Sequence, residues 1–145
     1  MNNYNYPPLS KKKVLAGFSC EKKLWYHANK KKYGIKETAP TIGDQHFMDA
    51  GTKAEVVYRG TLPGAILVEE GEGWGYDRWK QAIAATNRLI GVPGTILLQP
   101  AQVNDQGVFA LNDRLDIGND GQISIIEIKG STAVKPEHII DVAVQ

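Results

Sequence analysis

Two charged side chains, Glu127 and Lys129, lie at the end of the most core-like strand candidate in the chain, the run "QISIIEIK". Alternate side chains of a β-strand share a face, so both charges project to the same side as Ile123 and Ile125. Isoleucines also occupy the opposite face, which predicts a central strand covered on both sides. An unpaired charge in such a strand costs several kcal/mol. We therefore expect a partner that compensates Glu127 and Lys129.

Asp116, on the preceding strand candidate, offers that compensation in one register. If the hairpin turns on Asp120 and Gly121 as a two-residue Asp-Gly turn, Asp116 lies diagonal to Glu127 on the same face. Diagonal neighbours are about 7 Å apart, close enough for two carboxylates to share one divalent cation. The same register places Arg114 opposite Glu127, so an Arg114–Glu127 ion pair is the alternative. A three-residue turn would instead put Asp116 on the other face.

The elements that must position these residues are predicted from hydrophobic periodicity and from capping and turn residues. The predicted helices are two short ones capped by Ser10 and Ser19, one from Asp44 to about Gly60, one over 76–91, and a last one from Pro136. A short strand is predicted at residues 65–70. Three further strand candidates, 95–103, 108–117 and 122–129, are joined by tight turns and predict an antiparallel meander. The fold class is therefore α+β.

The length and composition predict one domain. A chain of 145 residues with 42% hydrophobic content is long enough to bury about 70% of its unfolded surface. No apolar run approaches the roughly 18 residues that span a bilayer, and the N-terminus lacks the apolar core of a secretion signal. We expect a cytoplasmic protein without a membrane partner. The single cysteine, Cys20, is expected to be a buried apolar side chain.

The lysines are concentrated at the N-terminus. Residues 1–36 hold nine lysines and one acid, a net charge of +8, whereas the remainder of the chain carries −7. A basic arm over 1–36 on an acidic core over 37–145 suits a partner that bears phosphates. A solvated helix surface is the simpler alternative.

Asp116, ten intervening residues and then "EIK" resemble the motif of the PD-(D/E)XK nuclease superfamily. The position of this motif, on the second and third strands of a meander between helices, is similar to the restriction-endonuclease-like αβββα core of that superfamily. The segment "STAVKPEHIIDVAVQ" and the opening "LSKKKVLAGFSCEKKLWY" resemble the RecB-like and CRISPR-associated exonuclease branch. The tyrosine that this branch places four residues after Gln145, and its last core strand, would then follow the present C-terminus.

The resemblance implies roles for individual residues. Asp116 and Glu127 would be catalytic metal-binding carboxylates, the backbone carbonyl of Ile128 a further ligand, and Lys129 the lysine that orients or activates the attacking water. The branch often adds a ligand from the first core helix, and Glu55 follows Gly51 at the matching spacing. His46 is its competitor on that helix. The expected cofactor is Mg²⁺ or Mn²⁺, and no iron–sulfur cluster is expected because only Cys20 of its ligands is present.

These expectations point to a metal-dependent DNA nuclease that acts on single strands or strand ends. The residues expected to bind the substrate are Gln145, Lys135, Lys22 and Lys23. An incomplete core would also leave room for association with a second copy. The alternatives are an inactive nucleic-acid-binding or scaffolding module with a nuclease-like fold, and a purely structural α+β domain held by the Arg114–Glu127 pair.

Overall fold

The computed structural model of the protein describes residues 9–36, 38–69, 71–72 and 75–145. The first eight residues of the basic arm, and Glu37 at its boundary with the core, therefore lie outside the described residues. The helices are α1 (Lys11–Ser19), α2 (Glu21–Asn29), α3 (Ile42–Gly60), α4 (Trp79–Leu89) and α5 (Pro136–Ala143), with a 3₁₀ turn at Gly75–Arg78 before α4. No helix in the described ranges is long and apolar enough to cross a membrane.

Seven short strands in the described residues form two mixed sheets, which confirms the α+β class. The first sheet has the order β1-β5-β4 and the second the order β2-β3-β6-β7. Their bounds are β1 (Leu9–Ser10), β2 (Ile66–Leu67), β3 (Ile96–Leu98), β4 (Ala101–Val103), β5 (Val108–Leu111), β6 (Arg114–Ile117) and β7 (Ile123–Ile126).

The predicted meander is present but its first hairpin is bent between the two sheets. Strands β3 and β4 pair with β6 and β5 in one continuous antiparallel register, interrupted at Gln99 and Pro100. Gln99 has a φ of 53°, a conformation that is costly for a residue with a side chain. The ladder continues through the bend because the Gln99 N–H donates to the Asp113 carbonyl and the Asn112 N–H to the Pro100 carbonyl. The bend thus directs Asp113 to the junction of the two sheets.

The core lies between α4 and the sheets. It is built from small and branched side chains that are almost fully excluded from solvent: Val68, Ala82, Ile83, Leu97, Ala101, Leu115 and Ile117. Buried Thr86 on α4 donates to the Ala82 carbonyl and accepts from the Ala101 N–H at the bend. A buried hydroxyl that satisfies a strand N–H in this way fixes α4 on β4.

The register of the second hairpin differs from the sequence prediction. Strand β6 pairs with β7 so that Leu115 lies opposite Ile125 and Asp116 opposite Ser124. The Gly118 N–H donates to the Gln122 carbonyl, which leaves a three-residue loop. The predicted two-residue turn is therefore wrong. The physical reason is that this register places apolar residues of both strands on the core face, and a slip of one residue would reverse every side chain.

β7 also lies at the edge of its sheet rather than in the centre, within the part of the chain that the structure describes. Ile123 is 48% exposed, and the strand ends at Ile126. The prediction of a strand covered on both faces is therefore wrong. Glu127 and Lys129 follow the strand, where side chains of other elements can reach them.

Gly121 is expected to be required by this loop because its φ is +78°. Gly121→Ala should lower the free energy of unfolding by about 1 kcal/mol, because a Cβ disfavours the left-handed conformation. Urea denaturation measures the change. Gly91→Ala is the matched control, since Gly91 has no positive φ and an added Cβ there meets nothing within 4 Å. Equal stabilities of the two variants would contradict a left-handed Gly121 in the three-residue loop.

Candidate functional site

Asp113 takes the place beside Glu127 that the sequence prediction gave to Asp116. Continuing the β6–β7 register by one pair beyond Arg114 and Ile126 brings Asp113 opposite Glu127. The Ile128 N–H donates to Asp113 Oδ2 at 2.6 Å, so the Asp113 carboxylate caps the end of β7. Asp113 shares a face with Leu115, at the margin of the core.

Asp116 lies on the opposite face of β6 and is bound by an arginine. Arg114 Nε and Nη2 donate to the two carboxylate oxygens of Asp116, and Arg114 Nη1 donates to the Tyr58 hydroxyl on α3. Hydrogen bonds to Asp116 raise the pKa of Arg114 further above its already high value. The alternative pairing of Arg114 with Glu127 is therefore not formed, and Asp116 is not brought together with Glu127.

Burial is the main reason why the pKa of Asp113 is raised above its ordinary value. The Ile128 N–H opposes this change, whereas the negative charges of Glu127 and Glu55 reinforce it. The charge of Lys11 lowers this pKa but does not outweigh burial and the neighbouring carboxylates, so ionisation of Asp113 remains unfavourable. A bound cation would relieve this repulsion.

Glu127 is nearly buried, with 6% of its side chain exposed, and it accepts from three donors. Lys129 Nζ lies 2.6 Å and Lys11 Nζ 3.3 Å from Glu127 Oε1, and Gln145 Nε2 donates to Oε2 at 2.5 Å. Gln145, which was expected to bind the substrate, therefore lies at the site, where it donates to Glu127. Its own Oε1 is buried and has no hydrogen-bond partner among the described residues.

Asp141 on α5 completes a ring of four alternating charges with Lys11, Glu127 and Lys129. Its Oδ1 lies 3.1 Å from Lys11 Nζ, and its Oδ2 accepts from Lys129 Nζ. Burial alone would raise the pKa of Asp141, but the hydrogen bonds from Lys129 and Lys11 outweigh burial and lower it. Burial would also lower the pKa of Lys129, and its bonds to Asp141 and Glu127 instead raise it. The two carboxylates of the ring therefore favour the protonated form of Lys129.

Sequence reasoning placed Lys11 in the general basic arm and did not identify its contact with Glu127. The two residues are 116 positions apart, so no local pattern links them. Asp141 carried a weak signal, because it shares one helical face with His138 and Gln145 at three- and four-residue steps.

Glu55, on α3, is close enough to Asp113 for its charge to raise the pKa of Asp113. Its Oε1 accepts from Arg59 Nη2 at 2.5 Å and from Gln99 Nε2 at 3.0 Å. Gln99 thus links Glu55 to Asp113, because its side chain donates to Glu55 and its N–H donates to the Asp113 carbonyl. His46, the competing residue on α3, is exposed to solvent.

The remaining predicted residues fall in different places. Lys23 lines the groove that contains Glu127 and Lys129, whereas Lys22 lies over the Tyr26 ring, 6.0 Å from its centroid. Lys135 is exposed at the start of α5, where its N–H donates to His138 Nδ1. Cys20 is exposed, so its predicted burial is wrong.

The donor chemistry of Asp113, Glu127 and Glu55 fits a hard divalent cation, because Mg²⁺ and Mn²⁺ prefer carboxylate oxygens. Gln145 Oε1, which has no hydrogen-bond donor among the described residues, is a further oxygen beside Glu127 that could bind a cation. Within the described residues, however, no three His, Cys, Asp or Glu side chains are already arranged to hold a metal ion. Glu127 and Glu55 would have to exchange some of their present donors for the cation.

Lys11→Met is expected to strengthen Mn²⁺ binding about tenfold. The Lys11 ammonium lies within 3.4 Å of both Glu127 oxygens and repels a dication. At an effective dielectric of about 20 and a separation of about 6 Å this repulsion is several kcal/mol. The tenfold gain, about 1.4 kcal/mol, corresponds to the part that remains after screening by water and salt. Isothermal titration calorimetry measures the affinity. Lys13→Met removes the same charge outside this ring, and an equal gain in that variant would contradict a local effect of Lys11.

Comparison of the chain with models of protein families, with curated proteins and with solved structures gave no match. The interpretation of the site therefore depends on its geometry and on the chemistry of its residues.

Proposed function

We propose that the protein is a metal-dependent nuclease of PD-(D/E)XK type, with Asp113, Glu127 and Lys129 as its catalytic residues. The observation that carries this proposal is the end of β7, where the Asp113 carboxylate accepts from the Ile128 N–H between Glu127 and Lys129. The hairpin thus brings two carboxylates and a lysine together at the end of β7, where they provide both metal ligands and a cation for a phosphate. Asp113 replaces Asp116 as the first carboxylate of the motif in this proposal.

The residues that would hold Mg²⁺ or Mn²⁺ are Asp113, Glu127, Glu55 and the carbonyl of Ile128. When bound, the cation supplies an activated water and charge relief for the phosphate. Asp113 and Glu127 must both be ionised for this role, and their mutual repulsion favours a cation between them. The proposed substrate is DNA, as a single strand or at a strand end.

Lys129 would act as a fixed positive charge. Because its hydrogen bonds to Asp141 and Glu127 raise its pKa, it is protonated at neutral pH and does not serve as a base there. Its ammonium would donate hydrogen bonds to the attacking water or to a phosphate oxygen and offset the charge that develops there. Asp141 is a positioning residue, since it holds Lys129 and Lys11 without being part of the proposed ligand set.

A nucleic-acid-binding module without turnover is the second candidate. The observation that favours it is the saturation of Glu127 by Lys11, Lys129 and Gln145. In such a module the ring of charges would serve stability alone. DNA binding would then be independent of divalent cations.

Cleavage of labelled single- and double-stranded DNA with Mg²⁺ or Mn²⁺, compared with EDTA, distinguishes the two functions. We expect metal-dependent cleavage by the wild type and none by Glu127→Gln, which keeps the shape of the side chain. Glu72→Gln, an exchange of an acid that lies outside the site residues, is the control. Binding without metal-dependent cleavage by the wild type would favour the module.

A further inference from the structure

A groove of about 490 Å³ connects the basic arm to the candidate site. Its lining includes Glu127 and Lys129 on one side and residues of α1 and α2 on the other, among them Lys12, Lys23 and His27. The ion pairs of Lys11 with Glu127 and Asp141 hold α1 against the site. The lysines of the groove are therefore at a defined position relative to the proposed catalytic residues.

Two lysine ammonium groups that line this groove are available to a ligand. Lys12 and Lys23 are exposed, and neither forms an ion pair with a carboxylate of the described residues. His27 follows Lys23 by one helical turn and lines the same groove. Lysines that line a groove and have no acidic partner of their own favour an anionic ligand with repeated charges.

A second cavity of about 330 Å³ adjoins this groove. Lys23 and His27 line both spaces, and the second cavity is also lined by Tyr26 and Ile35. The Tyr26 side chain is exposed. Aromatic side chains beside a positively charged groove are the arrangement by which proteins stack the bases of single strands. A double helix does not present an unpaired base for such a cavity.

We propose that a single-stranded nucleic acid lies along this groove, with its phosphates against Lys12 and Lys23 and one unpaired base in the adjoining cavity beside Tyr26. The strand would lead to Glu127 and Lys129, so its role as a substrate rests on the proposed nuclease function. The phosphates and the base faces are common to DNA and RNA, and the groove residues are expected to contribute to both.

Binding is best measured in EDTA, where cleavage does not interfere, by fluorescence anisotropy of a labelled 12-nucleotide single strand. The double variant Lys12→Gln/Lys23→Gln should lose about tenfold or more in affinity. The slope of log K against log salt concentration should decrease in magnitude by about 1.4 for this variant, since each phosphate contact on a single strand contributes about 0.7. Lys31→Gln/Lys32→Gln removes the same charge further along the arm and should retain most of the affinity and slope.

Tyr26→Leu tests the base cavity separately. It should weaken single-strand binding about tenfold, leave the salt dependence unchanged and have no effect on a duplex. Oligodeoxynucleotides and oligoribonucleotides of one sequence should show the same losses. Unchanged binding by the Lys12/Lys23 variant, or an equal loss in the Lys31/Lys32 control, would overturn the proposal. Thermal unfolding of each variant shows that the fold is retained.

A small phosphodiester separates the failure of this proposal from the failure of the proposed function. Bis-p-nitrophenyl phosphate carries one phosphate, so it lacks the repeated charges that a strand would present to Lys12 and Lys23. If the groove is the binding path, oligonucleotide cleavage by the double variant should fall by a much larger factor than its Mn²⁺-dependent hydrolysis of this ester. Equal losses on both substrates would contradict a role in binding the strand, and the EDTA binding measurement judges the groove even if no variant hydrolyses the ester.

Discussion

Lys129→Met is expected to lower metal-dependent DNA cleavage by about a hundred- to a thousandfold, the usual effect of removing one charged donor from a reacting phosphate or oxyanion. Lys129 is the only residue of the ring that the nuclease motif assigns to the water or the phosphate. Met keeps the length of the side chain but supplies neither charge nor hydrogen bonds. Single-turnover cleavage of a labelled strand at saturating Mn²⁺ measures the chemical step.

The same substitution should not weaken Mn²⁺ binding, because Lys129 is not among the proposed ligands. Loss of its ammonium, 2.6 Å from Glu127 Oε1, should instead strengthen binding, as for Lys11→Met. It should lower the free energy of unfolding by about 1–2 kcal/mol, since Glu127 and Asp141 lose a shared donor. Lys32→Met removes an equal charge at an exposed position of the arm and should not change the rate of the chemical step. Cleavage at the wild-type rate by Lys129→Met would refute its assignment as a catalytic residue.

Asp113→Asn is expected to abolish metal-dependent cleavage while it stabilises the metal-free protein. Burial, with the charges of Glu127 and Glu55, raises the pKa of Asp113 in the folded state. The folded protein therefore loses stability relative to the unfolded chain as the pH rises through this pKa. Asn cannot ionise, and its Oδ1 can still accept from the Ile128 N–H. We expect a gain of about 1 kcal/mol at pH 7 and little change near pH 3.

Thermal unfolding with and without Mn²⁺ measures this effect. Mn²⁺ should raise the melting temperature of the wild type by mass action and should leave that of Asp113→Asn unchanged. Asp116→Asn is the matched control, because it deprives Arg114 of its bidentate partner and should lower stability with or without the metal. A loss of stability in Asp113→Asn at pH 7 without metal would contradict the proposed electrostatic environment.

The sequence predicted the element types well where local signals decide them. The start of α5 at Pro136 and the end of α3 at Gly60 agree with the structure, because caps and periodicity act within one or two turns. The start of α3 lay two residues earlier than predicted, since Thr41 and Asp44 form a capping box. Asp44 was identified as a helix-opening residue, but it occupies the third position rather than the cap.

The predicted register of β6 and β7 was wrong, and this error had the largest effect because the register determines which carboxylate lies beside Glu127. An Asp-Gly sequence fits a two-residue turn and also a three-residue loop with a left-handed glycine, so the turn residues alone did not decide. The face pattern contained the answer: pairing Leu115 with Ile125 matches apolar residues, whereas the predicted register set charged Asp116 against Ile125. Asp113 lies two residues before Leu115 and so shares its face. Pairing Leu115 with Ile125 therefore places Asp113 opposite Glu127.

Contacts between distant segments were beyond sequence reasoning. Lys11 reaches Glu127 because α1 packs against β5 and α5, and a single sequence contains no signal for this packing. The bend at Gln99 was equally hidden, since a glutamine with positive φ has no local signature. Lys11 supplies one of the two ammonium groups on Glu127, and the side chain of Gln99 supplies a donor to Glu55.

The central claim is that Asp113, and not Asp116, acts with Glu127 to bind the divalent cation. A calorimetric Mn²⁺ titration of the wild type, Asp113→Asn and Asp116→Asn tests this claim directly. We predict that the wild type and Asp116→Asn bind with similar affinity and that Asp113→Asn binds at least about a hundredfold more weakly, as for the loss of a charged ligand. Retained binding by Asp113→Asn together with lost binding by Asp116→Asn would contradict the claim.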